Sequence, residues 1–418
     1  MEKLSEQDQM DFNGSQSAGA GTSARAQLKP QRTIDGAPLI VHSHLRWDFV
    51  WQRPQQIFSR LAAYHAILFI EEPVLEEGEQ RLKIDESLPN IVRVVPILSR
   101  QVVGVDAQCE ASLALLRQAL ARHPLLVGRF DSPIQWFYSP MSAPCFLGQF
   151  GAVAVVYDCM DELANFRFAP ADIAERERFL MAKADVVFTG GYQLFQSKSR
   201  YHHNVHFFGC GVDVDHYSRA RSAQTQLPAD VAQLPHPIFG YFGVIDERID
   251  YELLAQLAQR FPNASVVMIG PLAKVDRAML PSLENIHWLG QRAYDDLPAY
   301  LKAFDVCLMP FALNEATRYI NPTKTLEYMA AGKPIVSTAV PDVVHNFTPV
   351  VEIGYSANEF ITAVQRAFTK FDRKRTQLGI ERANGATWES IVASMRSYLL
   401  NEGSRPLSGY RSHTSDFP

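Results

Sequence analysis

The feature of this 418-residue chain that most limits its fold is a rhythm that runs twice. Short apolar runs of strand length alternate with stretches of helical periodicity, and such alternation is satisfied by a mostly parallel sheet with helices on both faces. In the first pass, strands are expected at Pro38-Leu-Ile-Val-His42, Ala66-Ile-Leu-Phe-Ile70, Ile91-Val-Arg-Val-Val95, Ile134-Gln-Trp-Phe-Tyr138, Ala152-Val-Ala-Val-Val-Tyr157 and Val186-Val-Phe-Thr189. Helices are expected from Arg53, with Pro54 in the first turn where its missing N–H costs little, and over 112–121 and 171–184. After Pro235-His-Pro237 the rhythm restarts. Strands are expected at Ile238-Phe-Gly-Tyr-Phe-Gly243, Ala264-Ser-Val-Val-Met-Ile-Gly-Pro271, Ile286-His-Trp-Leu-Gly290, Val306-Cys-Leu-Met-Pro310 and Pro334-Ile-Val-Ser-Thr338, with helices over 252–260, 297–303, 323–331 and 388–400. The class is α/β, with two Rossmann-like doubly wound domains at 35–216 and 237–385. A linker over 217–236 joins them, a closing helix spans 386–402, and a leader (1–34) and a tail (403–418) rich in small and polar residues are expected to be disordered.

Composition narrows the class of function. With 47% apolar and 20% charged residues, the chain can bury full cores without a metal or disulfide framework. The formal charge of -5 supplies no basic field for nucleic acid, so no nucleic-acid partner is expected. Cysteines 109, 145, 159, 210 and 307 form no CxxC pair and are odd in number, so five free thiols in a reducing, cytoplasmic setting are expected. The N-terminus has no apolar signal-peptide core, and no apolar run approaches the ~18 residues that span a bilayer. A soluble protein, or one lying peripherally on the inner face of the plasma membrane, is the expectation.

Four segments hold candidate chemistry. In Asn321-Pro-Thr-Lys-Thr-Leu-Glu327, Asn321 is read as an N-cap and Pro322 as the first helical residue. The first-turn amides near Thr323 and Thr325, together with the charge of Lys324, would then receive a diphosphate, and Glu327 would take ribose hydroxyls. An ordinary capped helix with a solvated Lys and Glu is the simpler alternative. The strand ending at Gly243 lets backbone approach a phosphate, with Arg248 five residues on. Arg46-Trp-Asp-Phe-Val-Trp-Gln-Arg53 follows the first strand, where open α/β sheets bind ligands. Arg46, Trp47, Trp51, Gln52 and Arg53 are read there as an acceptor or phosphate loop, against Trp packing over a helix start. Asp158 and Asp161, at another strand end, are read as orienting an acceptor hydroxyl, with helix capping equally open.

Other features read as decoys. Asp213-Val-Asp215 resembles a DxD metal signature but sits beside the linker. His202, His203 and His206 lack supporting carboxylates for a metal. The patch Lys198-Ser-Arg-Tyr-His-His203 could touch anionic lipid, and a solvated helix end is the simpler reading. No metal is expected.

These residues resemble a known family. Thr325-Leu-Glu-Tyr-Met-Ala-Ala-Gly-Lys-Pro-Ile-Val-Ser-Thr338 is similar to the "LEAMAAGxPVVAT" signature of glycosyltransferase family four (glycosyl transferases group 1), which has the GT-B fold. Gly209-Cys-Gly-Val-Asp213, Val267-Met-Ile-Gly-Pro271 and Trp288-Leu-Gly290 resemble the family's "NGVD", "IvG" and "fxG" elements in the right order. The Trp/Arg loop resembles a subgroup that includes teichuronic acid biosynthesis glycosyltransferases. The resemblance implies two domains facing a central cleft and a closing helix that crosses back to the first. It also implies retaining, metal-independent transfer from a nucleoside-diphosphate sugar to a saccharide or lipid-linked saccharide of the cell envelope or an exopolysaccharide. Lys324 and Arg248 would stabilise the leaving diphosphate, Glu327 would take the ribose, Gly243 and Gly270 would line the donor, and Gly290 and Gln291 would face the base. Two positions depart from the family pattern. Tyr319 stands where the first Glu of E-x7-E belongs, and Val244 stands where an Arg follows the strand glycine. A non-catalytic nucleotide-sugar binder and a GT-B-fold nucleotide-sugar epimerase remain as alternatives.

Overall fold

A computed structural model describes residues 34–400. The expected tail, and the expected leader apart from Ile34, lie outside the described residues. The first sheet contains β1 (Leu39–Ser43), β2 (Ile67–Glu71), β3 (Val74–Glu76), β4 (Arg81–Leu88), β5 (Ile91–Ser99), β6 (Ile134–Phe137), β7 (Ala154–Cys159), β8 (Val186–Thr189) and β9 (Val205–Phe207), in the order β3-β5-β2-β1-β6-β7-β8-β9 with β4 beside β5. Every pairing is parallel except β4 with β5. The central strands are buried along their whole length, as continuous apolar runs covered on both faces should be. β4, with Arg81, Lys83, Asp85 and Glu86, alternates charged and apolar residues and is partly exposed along its length.

The second sheet contains β10 (Ile238–Phe242), β11 (Ser265–Ile269), β12 (Ile286–Gly290), β13 (Val306–Met309), β14 (Ile335–Thr338) and β15 (Glu352–Gly354). Its order is β12-β11-β10-β13-β14-β15, all parallel. Strand order reverses beside β1 in the first sheet and beside β10 in the second. The carboxyl ends at those two points are where a doubly wound sheet opens a crevice.

The helix Trp388–Leu400 sends Trp388, Ile391, Val392, Met395, Tyr398 and Leu399 into the core of the first domain, beside the helix Arg53–Leu61. Residues 217–236 are laid on the second domain. Tyr217, Ala220 and Val231 join its core, and Lys302 Nζ donates to the carbonyls of Ser222 and Thr225 at 2.8 and 2.7 Å.

The expectation of five free thiols is corrected. Cys109, in the helix Val105–Arg122, is bonded to Cys145, in the short helix Ala143–Phe146, and Cys159, Cys210 and Cys307 are free. The pair is 36 residues apart, and the packing of these two helices on the same face of the first sheet joins them. Cysteine usage therefore gives no argument for a reducing compartment. Among the described residues, no helix is long and apolar enough to cross a membrane.

Candidate functional site

A cavity of about 450 Å³ opens between the carboxyl ends of the two sheets, and both domains line it. Its floor is set by a close approach. Gly243, at the end of β10, has φ +141°, and a Cβ there would lie 2.8 Å from Lys324 Cε and 3.1 Å from Nζ. A Cβ on Gly270, at φ +148°, would overlap the carbonyl oxygen of Gly243. Glycine at these two strand ends is what lets Lys324 lie against backbone. Its ammonium sits 5.3 Å from the Tyr241 ring centroid and 5.5 Å from that of Phe311. Burial pushes the Lys324 pKa down and the Glu327 pKa up, and the attraction between the two groups, one turn apart on the same helix, partly offsets both shifts. The Tyr217 hydroxyl neighbours the Glu327 carboxylate, and the Tyr294 ring lies 5.9 Å from that of Tyr217.

The helix in this motif is shorter than its sequence implies. It runs Lys324–Ala330, and its first residues bend through bonds from Thr325 N–H to Pro322 O at 3.2 Å and from Leu326 N–H to Thr323 O at 3.1 Å. Asn321 is therefore not its N-cap. The Asn321 Nδ2 donates to Gly190 O of the first domain at 3.0 Å, and its buried Oδ1 has no partner. Pro322 and Thr323 line the cavity. The Thr325 hydroxyl is buried and bonded to Pro322 O at 2.9 Å, so as a donor ligand Thr325 is corrected to a structural residue.

Arg248 also lines the cavity, and its guanidinium is gripped by Asp246, with Nε at 3.0 and 3.1 Å from the two carboxylate oxygens and Nη2 at 2.6 Å. Asp246 stands two residues before Arg248, a spacing that reading the sequence overlooked. Arg248 brings donors to the cleft with its charge largely balanced. Phe166 of the first domain lies 5.7 Å from Arg248 and 5.2 Å from Lys274. Asp161 faces the same cleft from the first domain. Burial raises its pKa to about 6, and the nearby Arg248 charge pulls the other way.

Asp158 lies elsewhere. It is fully buried and closed by Arg53, whose Nη2 is 3.0 Å and Nε 3.1 Å from Asp158 Oδ1. Arg53 Nη1 donates to Phe208 O at 2.8 Å and to Gly209 O at 3.2 Å. The roles read for Asp158 as an acceptor group and for Arg53 as a phosphate ligand are corrected, because each satisfies the other. Arg46 is corrected as well. It points away from the cleft to Glu71 Oε2, at 3.1 Å, and to backbone near Pro73. Gln52 caps the helix Arg53–Leu61 in a capping box with Gln55. Trp47 and Trp51 line the cavity, with Trp47 mostly buried.

Gly290 accepts from Gly270 N–H at 2.9 Å, and Gln291 Nε2 reaches across the cleft to Phe49 O at 3.0 Å. Tyr319 is corrected as a donor contact. The segment after Phe311 crosses to the first domain, Tyr319 packs against that domain's core, and Ile320 is the neighbour that lines the cleft. Glu315 stays exposed on the same segment, with its carbonyl accepting from Asn165 Nδ2 at 3.1 Å.

The decoys have structural roles. Asp213 caps the helix Val214–Ser218 through His216 N–H at 3.0 Å, and no cluster of three or more metal-ligating side chains occurs among the described residues. His202 pairs with Ala184 O and His206 with Asn204. Lys198 is not a solvated helix end. It is 3% exposed and bonded to both Glu162 and Glu177 at 2.8 Å. Two histidines at the end of β1 went unnoticed in the sequence. Burial lowers His42 to about 3 and His44 to about 4, and each has one ring nitrogen without a partner.

Comparison with known proteins agrees with this geometry. Residues 237–370 match the family model described as Glycosyl transferases group 1. A 107-residue stretch is 29% identical to TuaH of Bacillus subtilis (strain 168), a protein assigned as a teichuronic acid biosynthesis glycosyltransferase. That stretch is 25% of this chain and 27% of the relative, so the match spans about a quarter of the relative's length. The fold is similar to sucrose-phosphate synthase (tll1590) from Thermosynechococcus elongatus, with TM-score 0.66 and 18% identity over 86% of this chain and 98% of that one. It is also similar to an alpha,alpha-trehalose-phosphate synthase (UDP-forming) from Burkholderia vietnamiensis, with TM-score 0.64 and 13% identity over 88% and 99%. An E. coli structure described as trehalose-6-phosphate bound with UDP-2-fluoro glucose gives TM-score 0.62 and 15% identity over 87% and 99%. With its two facing doubly wound domains the chain has the GT-B fold, and residues 237–370 of its second domain match the glycosyl transferases group 1 family model.

Proposed function

We propose that the protein is a glycosyltransferase of the hexosyltransferase type. It would move a sugar from a nucleoside-diphosphate sugar to a saccharide of the cell envelope or an exopolysaccharide, free or lipid-linked, with retention and without a metal. The observation that carries this reading is Lys324, held against Gly243 on the cavity floor one turn before Glu327, inside the segment that matches the family. As the bond from the anomeric carbon to the diphosphate breaks, negative charge grows on the leaving group. A fixed ammonium in a partly dry cleft meets that charge without reorganising, and Arg248 adds oriented N–H donors. Glu327 is placed to accept from ribose hydroxyls. Asp161, from the opposite wall, accepts from the acceptor hydroxyl that forms the new bond. A lipid-linked acceptor would bring the protein to the inner face of the plasma membrane, working from the cytoplasm.

A thermal-shift screen of UDP, GDP and ADP and their sugars tests the donor reading, and product analysis with and without acceptor tests transfer. An epimerase would form product without acceptor. A ligand at 100 times its Kd should stabilise by about 2.7 kcal/mol, and no shift with any nucleotide would sink the proposal. Turnover is expected to survive EDTA, and a wild-type enzyme silenced by chelator would overturn the metal-free mechanism.

The Asp161→Asn variant offers a pH test. Asp161 is protonated below about pH 6 and is then a much weaker acceptor for the acceptor hydroxyl. The rate at low acceptor should therefore rise through that pH in the wild type, and the variant should be slow and lack this limb. The raised pKa means the fold favours the neutral form. That stabilisation is present below the unfolded value of 3.8 and lost as pH rises through about 6, so the variant should melt no lower than wild type at pH 7. A lower melting temperature there would make Asp161 a structural group.

A further inference from the structure

The loop that follows β1 reads in sequence as an acceptor loop, yet the structure lays it against the far corner of the cleft. Phe49 O accepts from Gln291 Nε2 of the second domain at 3.0 Å. The Trp51 ring lies 6.4 Å from that of Tyr294, on the same second-domain loop, and Gln56 Nε2 reaches the Tyr294 hydroxyl at 3.5 Å. Phe49 and Trp51, two residues apart on this loop, line the cavity and keep 40% and 36% of their surface exposed at a domain contact.

The rest of the donor site, on the reading proposed above, fixes what belongs in this corner. A diphosphate at Lys324 and Gly243 and a ribose at Glu327 define a direction along the cavity. Beyond Glu327 in that direction come Tyr217, then Tyr294 with its ring centroid 5.9 Å from that of Tyr217, and, facing Tyr294 from the other domain, Trp51. The corner is aromatic and open, and a nucleobase has two apolar faces that stack on aromatic rings whatever its edge pattern. We propose that the first domain supplies an aromatic cap, Trp51 with Phe49, over the base of the nucleotide donor, so that the donor site is completed across the cleft. The acceptor is then left to the opposite end, by Met160 and Asp161. Stacking alone does not choose among bases, so discrimination falls to polar groups of the Gln291–Arg292 segment, where one Gln291 amide N–H is already given to Phe49 O.

The test uses the full chain, with affinities for UDP, GDP and ADP measured beside that for inorganic pyrophosphate, which has no base. Trp51→Ala is expected to weaken the preferred nucleoside diphosphate about ten- to a hundredfold. It should leave pyrophosphate affinity and acceptor KM within about twofold, and Trp51→Phe should restore most of the loss. Phe49→Ala should act in the same direction with smaller effect. A Trp51→Ala protein with unchanged nucleotide affinity, with an equal loss toward pyrophosphate, or with a change confined to acceptor KM would overturn the cap. A wild type that binds no nucleoside diphosphate at all would instead overturn the donor reading beneath it.

Discussion

Replacing Lys324 with alanine should lower kcat/KM for sugar transfer by about 10²–10³-fold and weaken nucleoside-diphosphate binding, with the melting temperature unligated close to that of the parent. The ammonium is the cation set directly against the glycine-ended strand, and its stem packs between Gly243 and the Tyr241 and Phe311 rings. Lys324→Met keeps most of that stem and removes only the charge, so it should match alanine in rate. Lys324→Arg should not rescue, because a planar fork is larger than the gap beside Gly243. Burial lowers the Lys324 pKa, so in the free enzyme its charge is lost at a lower pH than for an exposed lysine. Donor affinity should therefore fall on the alkaline side, and bound diphosphate should push the titration back upward. Variants at Lys324 should lack this alkaline limb. Isothermal titration with the preferred nucleoside diphosphate across pH, beside steady-state rates, checks both claims. Unchanged turnover in Lys324→Met would remove the leaving-group role.

The part of this site readable from sequence is the part built from local pattern. Strand ends and helix starts follow from periodicity and glycine, which marks Gly243, Lys324 and Glu327 as separate candidates, and the family resemblance is what gathers them with Gly270 at one donor site. Errors arise where a distant segment decides. Arg53 reads as a phosphate ligand because it ends a Trp- and Arg-rich loop after the first strand, and its partner Asp158 is 105 residues away. Tyr319 holds the position of a family carboxylate by count, yet the segment around it is drawn across to the first domain, where the half-buried ring packs against that domain's core. Asn321 has the residue type of an N-cap, but its amide bridges to Gly190, and the helix starts three residues later. The Cys109–Cys145 bond depends on how two helices share one face of the sheet, which spacing does not encode. The β3–β4 excursion was also missed, since β4 mixes charge with apolar residues and reads as neither element.

Arg53→Ala should be strongly destabilising, at about 3–5 kcal/mol. Arg53 and Asp158 are 2% and 0% exposed, and three of the guanidinium's nitrogens are committed, two to the carboxylate and one to the Phe208 and Gly209 carbonyls. Removing the side chain leaves a buried carboxylate without its cation and a cavity the size of the arginine stem. The protein must then either bury an uncompensated charge or protonate Asp158, and either choice costs stability. For a domain of this size the loss corresponds to a drop of roughly 10 °C in melting temperature. Arg53→Lys should recover only part of it, since one ammonium cannot reproduce the fork that spans carboxylate and carbonyls. The double change Arg53→Met with Asp158→Leu removes both charges and should be less harmful than the sum of the single variants, a coupling that calorimetry and urea unfolding would both register. If Arg53→Ala instead melts within about 2 °C of wild type while losing donor or acceptor affinity, the pair is not what holds this wall of the cleft, and Arg53 returns to being a substrate ligand.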